Sequence, residues 1–242
     1  ANSVNNYYNG GGAIFFYSNV LNLNINNSIF EDNSLNKINN LYGGAINFAY
    51  QFANVTVENS HFKNNSAYRG GAIYVNGYNS QDTLTFKNNT FEENTVSDNG
   101  GAIYLGQNVK NIAFTQSNFV NNSASQGGSI YFFRTLKASF DDVNFTQNSA
   151  SASGAAIYSY DTTAYGQVNF TFTNMNFKNN KGNSIILIHY TGSVSTFENV
   201  TFTGNNGRFY GILSYEYDST FPIVETSFNH VDFINNTATG FD

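Results

Sequence analysis

Apolar and polar residues along this chain alternate in short runs, and no stretch holds a helical stripe with caps at its ends. The runs recur. Each unit opens on an Ile within a Gly-Gly-Ala-Ile box: Ile14, Ile46, Ile73 and Ile103, then the looser versions ending at Ile130, Ile157, Ile185 and Ile212. Each unit closes on Phe followed three residues later by Asn: Phe30 and Asn33, Phe62 and Asn65, Phe91 and Asn94, Phe119 and Asn122, Phe145 and Asn148, Phe177 and Asn180, Phe202 and Asn205, Phe233 and Asn236. Five places before each Phe stands another apolar residue: Ile25, Val57, Phe86, Phe114, Phe140, Phe172, Phe197 and Phe228. Three period-two segments per unit, bounded by Gly, Asn and Ser, predict three short strands separated by turns.

A strand triplet of this size cannot bury its apolar face alone, whereas stacking unit on unit buries one continuous column. The pattern therefore predicts an all-β parallel β-helix, a single domain over 1–242 with about eight coils starting near 11, 43, 70, 100, 127, 154, 182 and 209. Three inward ladders, one per sheet, follow from the three registers. The ladder Asn residues are expected to shape turns at positive φ and to bond one another from coil to coil. The Gly pair is expected to let the chain turn without a Cβ clash. Thr237-Ala238-Thr239-Gly240 echoes the lead-in Ser66-Ala67-Tyr68-Arg69-Gly70, so a further coil is expected to begin there, as in a segment of a longer solenoid.

The repeated Gly-Gly-Ala-Ile box paired with Phe-x-x-Asn resembles the polymorphic outer-membrane protein repeat of surface adhesins and autotransporter passengers. That resemblance implies a right-handed β-helix that is secreted or displayed on a cell surface and serves adhesion or acts as a stalk.

Composition narrows the chemistry. Charged residues make up 11% of the chain and the net charge is -6, with no basic run, which argues against nucleic acid or an anionic membrane surface as partner. There is no Cys, hence no disulfide or thiolate metal site, and no apolar run long enough to insert in a membrane. Asp141-Asp142 and Glu92-Glu93 are adjacent acids, but strand neighbours are expected on opposite faces. His61, His189 and His230 fall in different coils, and none has metal or triad spacing. No catalytic residue, cofactor or metal is assigned, and a polysaccharide lyase or hydrolase is the enzymatic alternative.

Binding candidates are more numerous. Residues just after each ladder Ile, and two places beyond, should face outward as an exposed aromatic stripe: Phe15, Tyr17, Tyr74, Tyr104, Tyr131, Phe133, Tyr158, Tyr160 and Tyr215. Ile186, Ile188 and Leu213 share those outward positions in the last units. Longer turns would gather Tyr78, Asp82, Asp161, Tyr165, Glu216, Tyr217 and Asp218 on one side. Glycosylation acceptor motifs occur at Asn26, Asn54, Asn64, Asn88, Asn121, Asn144, Asn169, Asn199 and Asn235, although 43 asparagines nearly account for that number by composition. Asn64, Asn121 and Asn235 are the best placed of these because each adjoins a ladder Asn. The expectation is a non-enzymatic extracellular module whose partner is a protein or glycan on a cell surface, or copies of itself in a fibre.

Overall fold

The computed structural model describes residues 3–4, 10–35, 41–76, 83–107, 109, 111–135, 137–160, 168–189, 192–216 and 223–240. Among them every regular element is a strand, and neighbouring coils pair in parallel throughout. The chain is a parallel β-solenoid of about seven turns, the eight Phe rungs standing at the boundaries of those turns. One coil shows the plan. Ile103–Leu105 leads through a turn to Asn111–Thr115, which bends into Asn118–Val120, turns into the two-residue Ser123–Ala124, and returns to Ile130–Phe133 one layer up.

The three expected sheets are instead two large ones. The Phe ladder and the ladder five residues before it belong to one 13-stranded sheet, because Val168–Lys178 runs through both segments without a break. The Ile strands join the short Ser-Ala strands in a 14-stranded sheet through Lys181–His189, and Val20–Leu21 pairs with Phe52–Ala53 in a small third sheet. Sequence periodicity marks where residues point, not which bends keep their hydrogen bonds.

The core is a set of stacked rings. Phe30, Phe62, Phe91, Phe119, Phe145, Phe177, Phe202 and Phe233 stack with centroids 4.7 to 5.1 Å apart. A second column, Phe86, Phe114, Phe140, Phe172, Phe197 and Phe228, has spacings of 4.6 to 5.3 Å. Both columns keep the interstrand distance of a sheet, about 4.8 Å, which sets how closely rings can lie. Each fully buried ring contributes roughly 1.5–3 kcal/mol.

The Ile ladder corrects the predicted register in the last units. Ile14, Ile46, Ile73, Ile103, Ile130 and Ile157 align as expected, but Ile157 pairs with Ile186 and Ile186 with Leu213. Ile185 takes the place that Ala156 has in the coil before, since the Ala156 N–H donates to the Ile185 carbonyl. The lead-in to this strand is short, with five steps from Lys181 to Ile186 where the paired stretch from Ser149 to Ile157 has eight, and the pairing with the next coil is irregular between Gly182 and Ser184. Ile186 and Leu213 are thus ladder residues, and Ile188 and Tyr215 point inward with them.

The asparagine ladder is built one residue away from the positive-φ corner. Positive φ falls on the residue before each ladder Asn: Asp32, Asn64, Glu93, Asn121, Gln147, Asn179, Gly204 and Asn235. The ladder Asn itself is buried and fully bonded. Asn122 Nδ2 donates to the Phe91 carbonyl and to Asn148 Oδ1, while its own Oδ1 accepts from the backbone N–H and Nδ2 of Asn94. The same four bonds repeat at Asn148 and Asn180. A second positive-φ row, Asn27, Asn59, Asn88, Gln116, Asp142, Asn174, Asn199 and His230, makes the bend inside the 13-stranded sheet.

The two glycines of a box do different jobs. Gly100 has φ +73, and a Cβ there would lie 2.4 Å from the Ile103 carbonyl oxygen. Gly101 is limited by its neighbouring coil: a Cβ would come within 1.9 Å of the Gly128 oxygen.

Candidate functional site

The aromatic stripe points away from the core but is not exposed. Tyr74, Tyr104, Tyr131 and Tyr158 lie in one register row and are only 9%, 5%, 5% and 6% accessible. Their rings stack at 4.9, 5.1 and 5.3 Å, so each face is covered by the next ring. In the coil before Tyr74 the register position holds Asn47, and Tyr42 from the preceding turn stands over Tyr74 instead, at 4.4 Å. The glycine turns close the flank. A Cβ on Gly154 would sit 2.7 Å from Tyr158 Cβ, which shows how tightly the turn lies against the column. Tyr215, expected in the stripe, packs partly buried against the core, with its hydroxyl accepting from Thr226 Oγ1 at 2.9 Å.

Exposed aromatics remain at one end of the same face. Tyr17 is 63% accessible, lies 5.4 Å from half-buried Phe15, and meets Tyr50 edge-on at 5.2 Å.

Arg69 is the cation of the tyrosine column. Its guanidinium lies 5.9, 5.5 and 5.4 Å from the rings of Tyr42, Tyr68 and Tyr104, and its Nε donates to Asp98 Oδ2. Burial by itself would lower the guanidinium pKa, but the Asp98 hydrogen bond and the charge interactions with Tyr104, Asp98 and Tyr42 together more than offset it, so Arg69 is held firmly charged. Burial pushes the Tyr104 phenol up to about 12 although Arg69 opposes it, and burial together with Glu216 takes Tyr158 to about 12. Tyr74 and Tyr131 go higher, again chiefly by burial.

Two positions beyond the tyrosine column a second outward row is half-buried. Phe133, Tyr160, His189 and Glu216 occupy it in successive coils. Phe133 and Tyr160 stack at 6.3 Å, Tyr160 and His189 at 4.9 Å with planes 16° apart. Arg134 covers the outer side of Phe133 at 5.0 Å. The sequence named Phe133, Tyr160 and Glu216 but placed Ile188 where His189 stands. The missed signal is the short lead-in from Lys181 to Ile186, which puts Ile186 rather than Ile185 on the ladder and shifts the outward positions by one.

The remaining candidates are dispersed. Asp142 has positive φ, so Asp141 and Asp142 both face solvent rather than opposite sides of the strand. They line a shallow surface depression with Lys87, Thr115, Gln116 and Asn174. The register neighbours of Asp141 are Thr115 and Thr173, so no second carboxylate faces it across an adjacent coil. Glu92 instead pairs with His61, Nε2 to Oε2 at 3.0 Å. Among the described residues no group of three or more His, Asp or Glu could hold a metal, and no helix is long and apolar enough to cross a membrane. Of the long-turn candidates Glu216 is described, whereas Tyr78, Asp82, Asp161, Tyr165, Tyr217 and Asp218 lie outside the described residues. The acceptor asparagines 54, 64, 88, 121, 199 and 235 sit at positive-φ corners and are exposed, as are Asn26 and Asn169, while Asn144 is half-buried.

Stacked ladders, parallel coils and outward rows of this kind define a β-solenoid. The family model described as a right handed beta helix region matches residues 48–238, and the chain belongs to that family. A probable autotransporter, YfaL, of Escherichia coli strain K12 is 28% identical over 173 residues, which is 62% of this chain and 14% of that protein. The chain therefore spans about a seventh of that relative's length. No solved structure matches.

Proposed function

We propose that this chain is a non-enzymatic, extracellular β-helix module, displayed at or released from a cell surface, that offers its long side wall to a binding partner in the manner of an adhesin. The single observation that carries this reading is where the polar chemistry goes. The buried asparagines are consumed in bonds between coils, and among the described strand residues no two acids are register partners on neighbouring strands. Glycoside cleavage needs two carboxylates facing the scissile bond, about 5–10 Å apart. The family and the similarity to a probable autotransporter support a surface setting. The exposed corner asparagines would carry N-linked glycans in a host that attaches them, an occupancy that intact-mass measurement reads directly.

The test has two arms. An epitope-tagged copy of the natural protein should be cleaved when intact cells are treated with protease, or recovered from the medium; protection inside the cell would overturn the reading. Incubation with pectic, alginate and mannan polysaccharides should release no reducing or unsaturated ends, and their steady release would make the protein an enzyme.

A further inference from the structure

We propose that Tyr160, His189 and Glu216 form a binding site for an uncharged glycan chain lying along the solenoid axis. The proposal rests on the surface-module reading and gives it a ligand class.

Placement comes first. Tyr160, His189 and Glu216 fall in one outward register row on three successive coils. Such a row advances about 4.8 Å per coil, close to the length of one sugar ring, so successive rungs can address successive sugars. The tyrosine column ends beside this row. Tyr158 is its last ring, the next two rungs being Leu187 and Ser214. The Tyr158 and Tyr160 rings lie 6.5 Å apart, so the end of the buried column backs the outward row.

The chemistry of these groups selects the ligand. Phenols donate and accept, a carboxylate accepts, and imidazole does either, which matches the mixed donor and acceptor character of sugar hydroxyls. His189 Nδ1 is buried without a hydrogen-bond partner among the described residues, so Nε2 is the ring nitrogen left to engage a ligand. Ring geometry separates this mode from aromatic stacking. Tyr160 and His189 cover each other at 4.9 Å, so they offer edges and polar atoms outward rather than open faces. That favours a hydroxyl-rich chain over an apolar one. Charge narrows it further, because Glu216 is the charged member of the cluster and the chain carries a net charge of -6, which repels uronates.

The purified protein is applied to an array of immobilised mannan, β-glucan and chitin oligosaccharides, with polygalacturonate oligosaccharides as the anionic comparison. Binding to at least one neutral class is expected, weakened about tenfold or more by each of His189→Ala, Glu216→Gln and Tyr160→Phe, the loss of one hydrogen bond to a polar or charged group. Tyr17→Ser, at the far end of the wall, should bind as the parent does. Thermal unfolding of each variant near that of the parent shows that the fold survives, and Tyr160→Phe and Glu216→Gln preserve shape in any case. No binding to any neutral oligosaccharide, binding to polygalacturonate alone, or undiminished binding by the folded variants would each overturn the site. Protease accessibility on intact cells is scored in parallel. A surface-exposed protein that binds no sugar sinks only the glycan site, while a protein confined inside the cell sinks the broader reading.

Discussion

At the scale of single residues, position relative to a corner decides what an asparagine is worth. Asn122 satisfies the backbone N–H and Nδ2 of Asn94, the Phe91 carbonyl and Asn148 Oδ1 inside a buried turn. Asn122→Ala leaves several of these groups unpaired where water cannot reach. At about 1–3 kcal/mol for each unsatisfied group, urea unfolding should show a loss of roughly 3–5 kcal/mol. Asn121, one residue earlier, is exposed and has φ +55. Its row already contains Gly204 at φ +64, so Asn121→Gly should change stability by less than about 1 kcal/mol in the same titration. The repeated Phe-x-x-Asn made the ladder legible in the sequence. Which of two adjacent asparagines carries the positive φ was not, because both are common there and either could have taken the corner.

At the scale of elements, strand alternation predicts direction but not burial. It correctly sends Tyr74, Tyr104, Tyr131 and Tyr158 away from the core, yet the adjoining glycine turns and the neighbouring rings cover them almost completely. That cover is long-range, set by coil spacing and turn shape, so no window of local sequence reports it. The short lead-in at Gly182 is a similar case: it puts Ile186 and Leu213 on the ladder, and with them His189 in the outward row and Tyr215 against the core. Burial of the column has a pH consequence. An unfolded tyrosine ionises near 10, whereas Tyr104 and Tyr158 hold their protons to about 12. Above pH 10 the folded state therefore binds more protons than the unfolded one, and stability falls as pH rises toward 12. Spectrophotometric titration should show the exposed phenols ionising first and the column only as the fold is lost. Arg69 lowers the pKa of Tyr104. Arg69→Gln should accordingly move the late ionisation to still higher pH, or into the unfolding transition itself, and a late phase that moves to lower pH would contradict the placement of the guanidinium over Tyr104.

At the scale of the molecule, a solenoid couples each coil to its neighbours and to little else. One Phe column runs from Phe30 to Phe233, the other starts at Phe86 above Ile25 and Val57, and the two meet edge-on within a coil, as where Phe114 and Phe119 lie 5.9 Å apart. Phe119 is fully buried between Phe91 at 4.9 Å and Phe145 at 4.8 Å. Phe119→Ala removes one ring from the middle of a column, and nothing on either side can close the gap, because hydrogen bonds hold the coils at the strand spacing. A cost of about 3–5 kcal/mol follows for a large-to-small change in such a core. Its distribution is the more telling quantity. In a globular core the loss would lower protection everywhere, since opening is largely global. Here the interfaces to the coils of Phe91 and Phe145 weaken directly, while those of Phe62 and Phe177 are two steps removed. Native-state hydrogen exchange should therefore show the largest loss of protection at residues 90–92, 118–120 and 144–146, decaying outward to nearly parental values at residues 61–63 and 200–203. Uniform loss across all strands would mean that the coils unfold as one unit, and would deny the nearest-neighbour coupling from which the rod, its side wall and its binding rows all follow.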